Sequence, residues 1–238
     1  QEITEQPVGK RADFRDLLTV TIDGEDARDL DDAITLSKKE DKYYLGVHIA
    51  DVSHYVKEDS PLDKEALERA TSVYLADRVI PMLPKELSNG ICSLNAGVEC
   101  LAMSCMMTFD ASGNVLDHTI TESVICVDER MSYTGVKAIL EGEAHPEGKR
   151  EDIRALCFLM KEAAAILKEK RRKRGAIDFD FPESKIVVDE KGYPVDIHPY
   201  ERNVATDIIE DFMLLANETV AEDYFWQEIP FVYRTHEA

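Results

Sequence analysis

Six acidic residues fall within ten positions, between Asp23 and Asp32. Asp29, Asp31 and Asp32 repel one another, because two such charges about 4 Å apart cost roughly 4 kcal/mol at an effective dielectric constant of about 20. A divalent cation removes this cost, and clustered carboxylates suit hard ions such as Mg²⁺ or Mn²⁺. The spacing therefore predicts a metal-binding loop. A solvated acidic turn, neutralised internally by Arg28, is the alternative.

Two apolar runs rich in β-branched residues enclose this acidic loop, at residues 19–22 and 33–37. They predict a strand on each side of the loop. A loop pinned between two buried strands cannot splay into solvent as an ordinary acidic turn does. Asp23 closes the first strand, six positions before Asp29, which favours the metal-binding interpretation.

The chain of 238 residues has a formal net charge of −20. This acidity argues against a simple nucleic-acid binder, which usually presents a basic patch. Taken alone, it favours a small-molecule enzyme or a protein-interaction domain. Metal-dependent phosphodiester chemistry nevertheless needs carboxylates at the site, and a local basic groove or another domain can attract phosphate. We therefore expect this segment alone to bind nucleic acid weakly.

No run approaches the roughly 18 apolar residues of a membrane span, and the N-terminus has no signal-peptide pattern. We expect a soluble, intracellular chain with no membrane partner. Five cysteines without a Cys-x-x-Cys pair predict reduced packing residues rather than a zinc site or disulfides. The closely spaced His48, Asp51 and His54 are a weak zinc signal, and we favour histidines bonded to backbone or carboxylate partners near the active site.

Hydrophobic periodicity predicts the remaining elements. The predicted helices are residues 61–70, capped by Ser60, and residues 133–141, 151–174 and 203–224. The further predicted strands are residues 43–50, 72–75, 100–109 (fully buried), 115–127, 176–181, 185–189, 195–198 and 229–234. This order predicts one α+β domain, with a mixed, partly antiparallel sheet packed by helices.

A basic run ends the long helix, at Lys168 and from Lys170 to Arg174. Such a run can interact with the C-terminal end of the helix and with solvent. It can equally contact phosphate, and it is the one basic cluster of an acidic sequence. Both interpretations stay open from the sequence.

The acidic loop also carries a family resemblance, in Thr-Ile-Asp-Gly-Glu-Asp-Ala-Arg-Asp-Leu-Asp-Asp-Ala-Ile at residues 21–34. This stretch resembles the catalytic domain of the RNase II/RNase R family, the RNB domain, and its RNase R branch most. The similarity continues in order through residues 46–56, 74–84, 87–94, 178–183, 208–217 and 231–237. Long matches in one order favour the metal-binding interpretation of the loop over the solvated turn.

The resemblance implies a hydrolytic exoribonuclease of the cytoplasm. Such enzymes digest single-stranded RNA from its 3′ end, release nucleoside 5′-monophosphates and use Mg²⁺, with Mn²⁺ as a possible substitute. The implied metal ligands are Asp23, Asp29, Asp31 and Asp32. Asp29 and Asp31 carry the implied catalytic role, and Asp31 matches the position most critical for chemistry. Two divalent ions held by four carboxylates can clamp the scissile phosphate.

The resemblance also implies RNA contacts from Tyr74, Tyr133 and one or both of Phe179 and Phe181. Stacking of a base on an aromatic ring contributes about 1–3 kcal/mol and tolerates any sequence. The alternative for each ring is a place in the core, and we expect it for one of the two phenylalanines. Glu210 matches a glutamate placed near the last nucleotides, and its alternative is a solvent-facing helix residue.

RNB domains normally continue past the segment at residues 231–237, into a stretch whose arginine engages phosphate at the cleavage site. Cold-shock and S1 domains flank the catalytic domain in complete enzymes. We therefore expect residues 1–238 to be the N-terminal part of an RNB catalytic domain, with doubtful activity of its own. A catalytically silent RNA-binding or regulatory relative and an acidic metal module unrelated to RNA are the alternatives. The four aspartates argue against a silent relative. The oligomeric state stays unknown.

Overall fold

A computed structural model describes residues 10–143, 145–177, 184–189, 192–199 and 202–235. Its central feature is a seven-stranded mixed sheet in the order β1-β8-β7-β4-β3-β2-β9. The strands are β1 (Ala12–Asp13), β2 (Thr19–Asp23), β3 (Asp32–Lys39), β4 (Lys42–Ala50), β7 (Glu99–Asp110), β8 (Val115–Cys126) and β9 (Glu129–Ser132). β1 pairs with β8 and β2 with β9 in parallel, and the other neighbours are antiparallel.

The hairpin of β7 and β8 is closed by residues of its own turn. The carboxylate of Asp110 accepts hydrogen bonds from the backbone N–H of Ser112 and Asn114, at 2.8 and 2.9 Å, and so closes the turn between β7 and β8. Gly113 adopts φ +79° there, a conformation that glycine reaches without steric cost. The turn joins the two longest strands, as predicted.

β7 is not fully buried as predicted from its apolar sequence. Its residues alternate between buried and half-buried positions. Cys105, Met107 and Phe109 pack in the main core, whereas Cys100 and Ala102 belong to a second, smaller cluster. Successive side chains of a strand point to opposite faces, so the buried face of β7 changes along its length.

Five helices accompany the sheet: α1 (Val52–Tyr55), α2 (Pro61–Arg69), α3 (Tyr133–Glu141), α4 (Glu151–Arg174) and α5 (Val204–Trp226). Ser60 caps α2 through its side chain, and Gly175 ends α4 at φ +98°, both as predicted. Buried residues of α3, α4 and α5, such as Ile139, Met160 and Phe212, join the strand residues in the main core. The predicted α+β class and helix-packed mixed sheet are confirmed.

Two small hairpins complete the described elements. They are β5 (Val73–Tyr74) with β6 (Val79–Ile80), and β10 (Ser184–Val188) with β11 (Pro194–Pro199). A π-helical turn, Leu87–Ile91, lies between β6 and β7. Residues 176–177 do not adopt the strand predicted for 176–181, and the rest of that stretch lies outside the described residues.

The strand predicted for residues 229–234 is wrong. This segment is irregular, and the ring of Phe231 packs against Tyr224 near the end of α5, with ring centroids 4.9 Å apart. An apolar, β-branched pattern describes a strand only where another strand offers hydrogen bonds. Here the segment makes aromatic contacts with the end of α5 instead of hydrogen bonds with a neighbouring strand.

The basic run of α4 joins this helix to its neighbours. Lys168 pairs with Asp207 at 2.9 Å, and Arg174 pairs with Glu218 at 2.6 Å, both carboxylates being on α5. The remaining contacts are Arg171 with Asp211 on α5, Arg172 and Lys173 with Glu169, and Lys170 with the Gly113 carbonyl. The structure therefore adds a third role to the two that the sequence left open: ion pairs of the basic run join α4 to α5. We call this role the helix tie.

The five cysteines are free thiols, as predicted, and four of them are buried. Within the described ranges, no helix is both long enough and apolar enough to cross a membrane.

Candidate active site

The acidic loop occupies one end of the sheet, where β2 stops at Asp23 and β3 begins at Asp32. The last residue of β4 adds a contact, since the N–H of Ala50 donates to the Asp31 carbonyl at 2.9 Å. On the other side, Asp23 is the register partner of Ser132, the last residue of β9. Four neighbouring strands thus position the two ends of the loop.

The four predicted aspartates lie close enough to influence one another. Burial, and then the charge of Asp29, raise the pKa of Asp23, although a hydrogen bond from the Gly24 N–H opposes the shift. Burial raises the pKa of Asp31, with further contributions from Asp29 and Asp23. Burial, followed by Asp23 and Asp31, raises the pKa of Asp32 to about 6. Asp31 is nevertheless exposed, and Asp23, Asp29 and Asp32 are half-buried, so the carboxylates lie partly open to solvent at this end of the sheet.

The donor set suits a hard divalent cation. Asp32 Oδ2 is buried and makes no hydrogen bond, which leaves a strong acceptor unsatisfied. Carboxylate oxygens are the ligands that Mg²⁺ prefers. Among the described residues, however, no three His, Cys, Asp or Glu side chains are arranged to hold one ion as they stand. The carboxylates fit such an ion in chemistry, but the described side chains do not surround one ion position.

Ser93 and Leu94 hold the middle of the loop. The Ser93 hydroxyl donates to the Arg28 carbonyl and accepts from the Leu30 N–H, both at 3.1 Å. The Leu94 N–H donates to the Leu30 carbonyl at 2.9 Å. The Leu30 side chain is buried beside them. The sequence contained no local signal for these roles, since Ser93 follows the loop by more than sixty positions.

Arg130 holds the first part of the loop. Its Nη2 donates to the carbonyls of Ala27, at 2.6 Å, and Glu25, at 3.2 Å. Its positive charge also lowers the pKa of Asp23, against the dominant effect of burial. Arg130 is on β9, opposite Thr21 of β2. The cation that acts on Asp23 is therefore Arg130 rather than Arg28. No pattern in the sequence pointed to Arg130.

Tyr74 lies at the acidic loop, and the RNA contact that the resemblance implied stays a prediction. Its hydroxyl donates to Asp29 Oδ2 at 3.3 Å, and 69% of the residue is exposed. The negative charge of Asp29, followed by burial, raises the pKa of the phenol. An exposed ring beside the carboxylates is available for stacking with a base.

Tyr133 lies near the same end of the sheet, as the first residue of α3 and the next after Ser132. It is half-buried and packs against the main core. Glu210 is exposed on α5 and pairs with Arg202 at 2.7 Å, and its RNA contact stays a prediction. Phe179 and Phe181 lie outside the described residues, so their RNA contacts stay predictions.

Contacts within the protein engage His48 in one place, and Asp51 and His54 together in another. The buried His48 ring bonds to the hydroxyls of Ser104, at 2.6 Å, and Thr35, at 3.2 Å, rather than to the predicted backbone or carboxylate partners. Burial lowers its pKa to about 4. Asp51 accepts from Arg11 at 2.6 Å, and the same Arg11 nitrogen lies 3.4 Å from His54 Nδ1.

A cavity of about 420 Å³ opens beside Asp29. The acidic loop, β6 and the π-helical turn form its walls. Arg28, Arg78 and Lys85 line it together with acidic and small polar side chains. The cavity gives a polar ligand of mixed charge access to the vicinity of the carboxylates.

The family model described as the RNB domain matches residues 11–238. The chain belongs to the RNB domain family. Among curated RNB relatives, ribonuclease R 1 of Lactococcus lactis is 49% identical over 238 residues, which cover 100% of this chain and 29% of the relative. Ribonuclease R of Thermotoga maritima is 52% identical over 229 residues, covering 95% and 32% respectively. The chain spans about a third of the length of these relatives.

Solved RNB structures share this fold. Mycoplasma genitalium RNase R in complex with ribose-methylated single-stranded RNA has a TM-score of 0.92 at 34% identity, over 96% of this chain and 36% of that chain. The same enzyme in complex with double-stranded RNA has a TM-score of 0.94 at 33% identity, over 99% and 42%. Yeast Ssd1, described as a pseudonuclease, has a TM-score of 0.72 at 19% identity, over 93% and 27%, a likeness of fold alone.

Proposed function

We propose that this chain belongs to a 3′-to-5′ exoribonuclease that hydrolyses single-stranded RNA to nucleoside 5′-monophosphates with the help of Mg²⁺. One observation carries the proposal. Four aspartates share one loop, burial and neighbouring aspartates raise the pKa values of Asp23, Asp31 and Asp32, and a buried oxygen of Asp32 has no hydrogen-bond partner. Membership of the RNB family and similarity to proteins named ribonuclease R support RNA as the substrate.

In this proposal Asp23, Asp29, Asp31 and Asp32 bind the divalent ions, and Mn²⁺ can substitute for Mg²⁺. When bound, such ions polarise the scissile phosphate and lower the pKa of an attacking water. Asp29 and Asp31 contribute most directly to the chemistry. The exposed ring of Tyr74 stacks with a base near the 3′ end, while its hydroxyl remains on Asp29.

RNA binding by these 238 residues alone should be weak, because the net charge is −20 and α5 carboxylates engage much of the basic run on α4. The proposed activity is therefore that of the longer protein. That residues 1–238 are the N-terminal part of a catalytic domain, and that the protein is cytoplasmic, also stay predictions.

The decisive experiment is a gel of 5′-labelled single-stranded RNA incubated with the full-length protein and Mg²⁺ or Mn²⁺. Asp31→Asn removes one carboxylate charge with little change of shape, and we expect it to abolish stepwise shortening from the 3′ end. Glu25→Gln makes the same change of charge at an exposed position of the loop and should retain activity. Full activity of Asp31→Asn would refute the site assignment.

A parallel reaction with the 238-residue chain asks whether these residues suffice for turnover.

If the full-length protein binds RNA without shortening it, the protein is a catalytically silent relative. If it does not bind RNA, the acidic metal module becomes the better explanation.

A further inference from the structure

We propose that Ser93 is a positioning residue for Asp29, an inference that rests on the proposed function. The Ser93 hydroxyl contacts the backbone on both sides of Asp29, with the Arg28 carbonyl and the Leu30 N–H each 3.1 Å away. A hydroxyl can donate one hydrogen bond while it accepts another. One side-chain atom thus fixes the two peptide groups between which Asp29 projects.

Burial makes this contact a rigid one. Only 1% of Ser93 and 1% of Leu30 is exposed, so water does not readily replace the hydroxyl at the Leu30 N–H, whereas Arg28 is an exposed residue. The Leu94 N–H bonds to the Leu30 carbonyl, and the Ala50 N–H bonds to the next carbonyl, that of Asp31. The backbone from Arg28 to Asp31 is therefore held at consecutive positions by groups from outside the loop.

Through the main chain, the Ser93 contact also influences the position of the Asp29 carboxylate. Asp29 accepts a hydrogen bond from the Tyr74 hydroxyl at 3.3 Å, so its position also affects the contact between the acidic loop and this ring. Loss of the Ser93 hydroxyl leaves the buried Leu30 N–H unpaired and removes the donor to the Arg28 carbonyl, so the backbone around Asp29 loses this support. Outer partners of metal ligands typically account for about 10–100-fold in metal affinity or activity.

Threonine and valine at this position provide a matched test. They have nearly the same shape, and only threonine keeps the hydroxyl. In full-length protein, we expect Ser93→Val and Ser93→Ala to lower kcat on short single-stranded RNA by about 10–100-fold and to raise the half-saturating Mg²⁺ concentration similarly. The KM for RNA should change little. Ser93→Thr should restore most of kcat and of the Mg²⁺ affinity.

Ser123→Ala is the control for a general loss of stability. Ser123 is as buried as Ser93 and also bonds through its hydroxyl, to Ser104 and the Ala102 carbonyl, but it does not contact the acidic loop. This variant should keep the wild-type Mg²⁺ dependence. Measurements belong below the melting temperature of every variant, as determined by circular dichroism.

Mn²⁺ binding, measured by calorimetry or by electron paramagnetic resonance, separates this proposal from the proposed function. Weaker Mn²⁺ binding in Ser93→Ala and Ser93→Val than in Ser123→Ala supports the positioning role even if the wild type does not hydrolyse RNA. Equal Mn²⁺ affinity in these three variants would overturn the role, as would a wild type that binds no Mn²⁺. RNA turnover that is absent from a Mn²⁺-binding wild type would count against the proposed function alone.

Discussion

The Tyr74 hydroxyl donates a hydrogen bond to Asp29 Oδ2 over 3.3 Å. Tyr74 is on β5, 45 positions after Asp29, so this contact ties an outlying hairpin to the acidic loop. The residue is 69% exposed. In the proposed function the two parts of the side chain have separable roles, the hydroxyl toward the carboxylates and the ring toward a nucleic-acid base.

Tyr74→Ala removes both parts, and Tyr74→Phe removes the hydroxyl alone. We expect Tyr74→Ala to weaken binding of short single-stranded RNA by about 5–150-fold, because base stacking on a ring contributes roughly 1–3 kcal/mol. Tyr74→Phe should bind RNA within about threefold of the parent, since the stacking surface remains. Fluorescence anisotropy of full-length protein carrying Asp31→Asn measures binding without turnover. Unchanged affinity in Tyr74→Ala would contradict the stacking role.

The raised pKa of Asp32 makes the metal-free site a source of instability. Burial and neighbouring aspartates raise this pKa from 3.8 to about 6. The folded state therefore holds a proton that the unfolded chain releases, so the stabilising contribution is complete below pH 3.8 and is lost as the pH rises through 6. In EDTA at pH 8, we expect Asp32→Asn to stabilise the protein, by at most about 3 kcal/mol. Urea denaturation at pH 8 measures the difference.

Addition of Mg²⁺ to the same samples provides the second half of this test. The ion competes with the proton for Asp32, so wild type should gain more stability from Mg²⁺ than Asp32→Asn does. The Mg²⁺ concentration at half-maximal stabilisation should rise as the pH falls below about 6. A variant that gains as much as wild type would show that Asp32 is not a ligand.

His48 has the opposite dependence on pH. Burial lowers its pKa from 6.5 to about 4, and its direct neighbours are the hydroxyls of Thr35 and Ser104 and the ring of Phe14. The unfolded chain takes up the proton first, so this contribution to stability is complete above pH 6.5 and is lost as the pH falls toward 4. The loss amounts to about 3 kcal/mol over this interval.

His48→Gln keeps a polar side chain and removes the titration. We expect the free energy of unfolding of this variant to change less than that of wild type between pH 7.5 and pH 4.5. Urea denaturation at both values measures it. The comparison of variant with wild type is essential, because Asp32 contributes with the reverse sign over part of the same range. Parallel pH profiles for the two proteins would exclude His48 as the source.

Removing one partner of the Arg171–Asp211 ion pair should destabilise the protein more than removing one partner of any other described ion pair between α4 and α5. Only 2% of the Asp211 side chain is exposed. Arg171→Met leaves that carboxylate buried without its cation, and we expect a loss of about 3–5 kcal/mol. Arg171→Met combined with Asp211→Leu should recover most of it. Arg172→Met, at an exposed pair on the same helix, should cost less than about 1 kcal/mol.

Thermal melting of these variants distinguishes the helix tie from the phosphate contact that the sequence left open. A phosphate-binding role predicts weaker RNA binding for Arg172→Met with unchanged stability. The helix tie predicts lower stability for Arg171→Met and unchanged RNA binding for Arg172→Met.

Predictions that depended on neighbouring residues agreed with the structure. Ser60 before Pro61 started a helix, and Gly175 ended one, because capping involves backbone groups only a few residues away. The turn at Asp110 to Asn114 joined the predicted strands for the same reason. The segment at residues 229–234 failed, because a strand also requires a partner that its own residues do not specify.

The sequence by itself determined that four aspartates share one loop, because they lie within ten positions between two apolar strands. Only the tertiary structure decided what holds that loop and which ring adjoins it. The Ser93 contact to Leu30 spans 63 positions, and the Arg130 contact to Ala27 spans 103. Such contacts form where separate elements happen to pack, and no local propensity or periodicity encodes the resulting distances. The sequence thus determines which carboxylates share the loop, and long-range packing determines where the loop holds them.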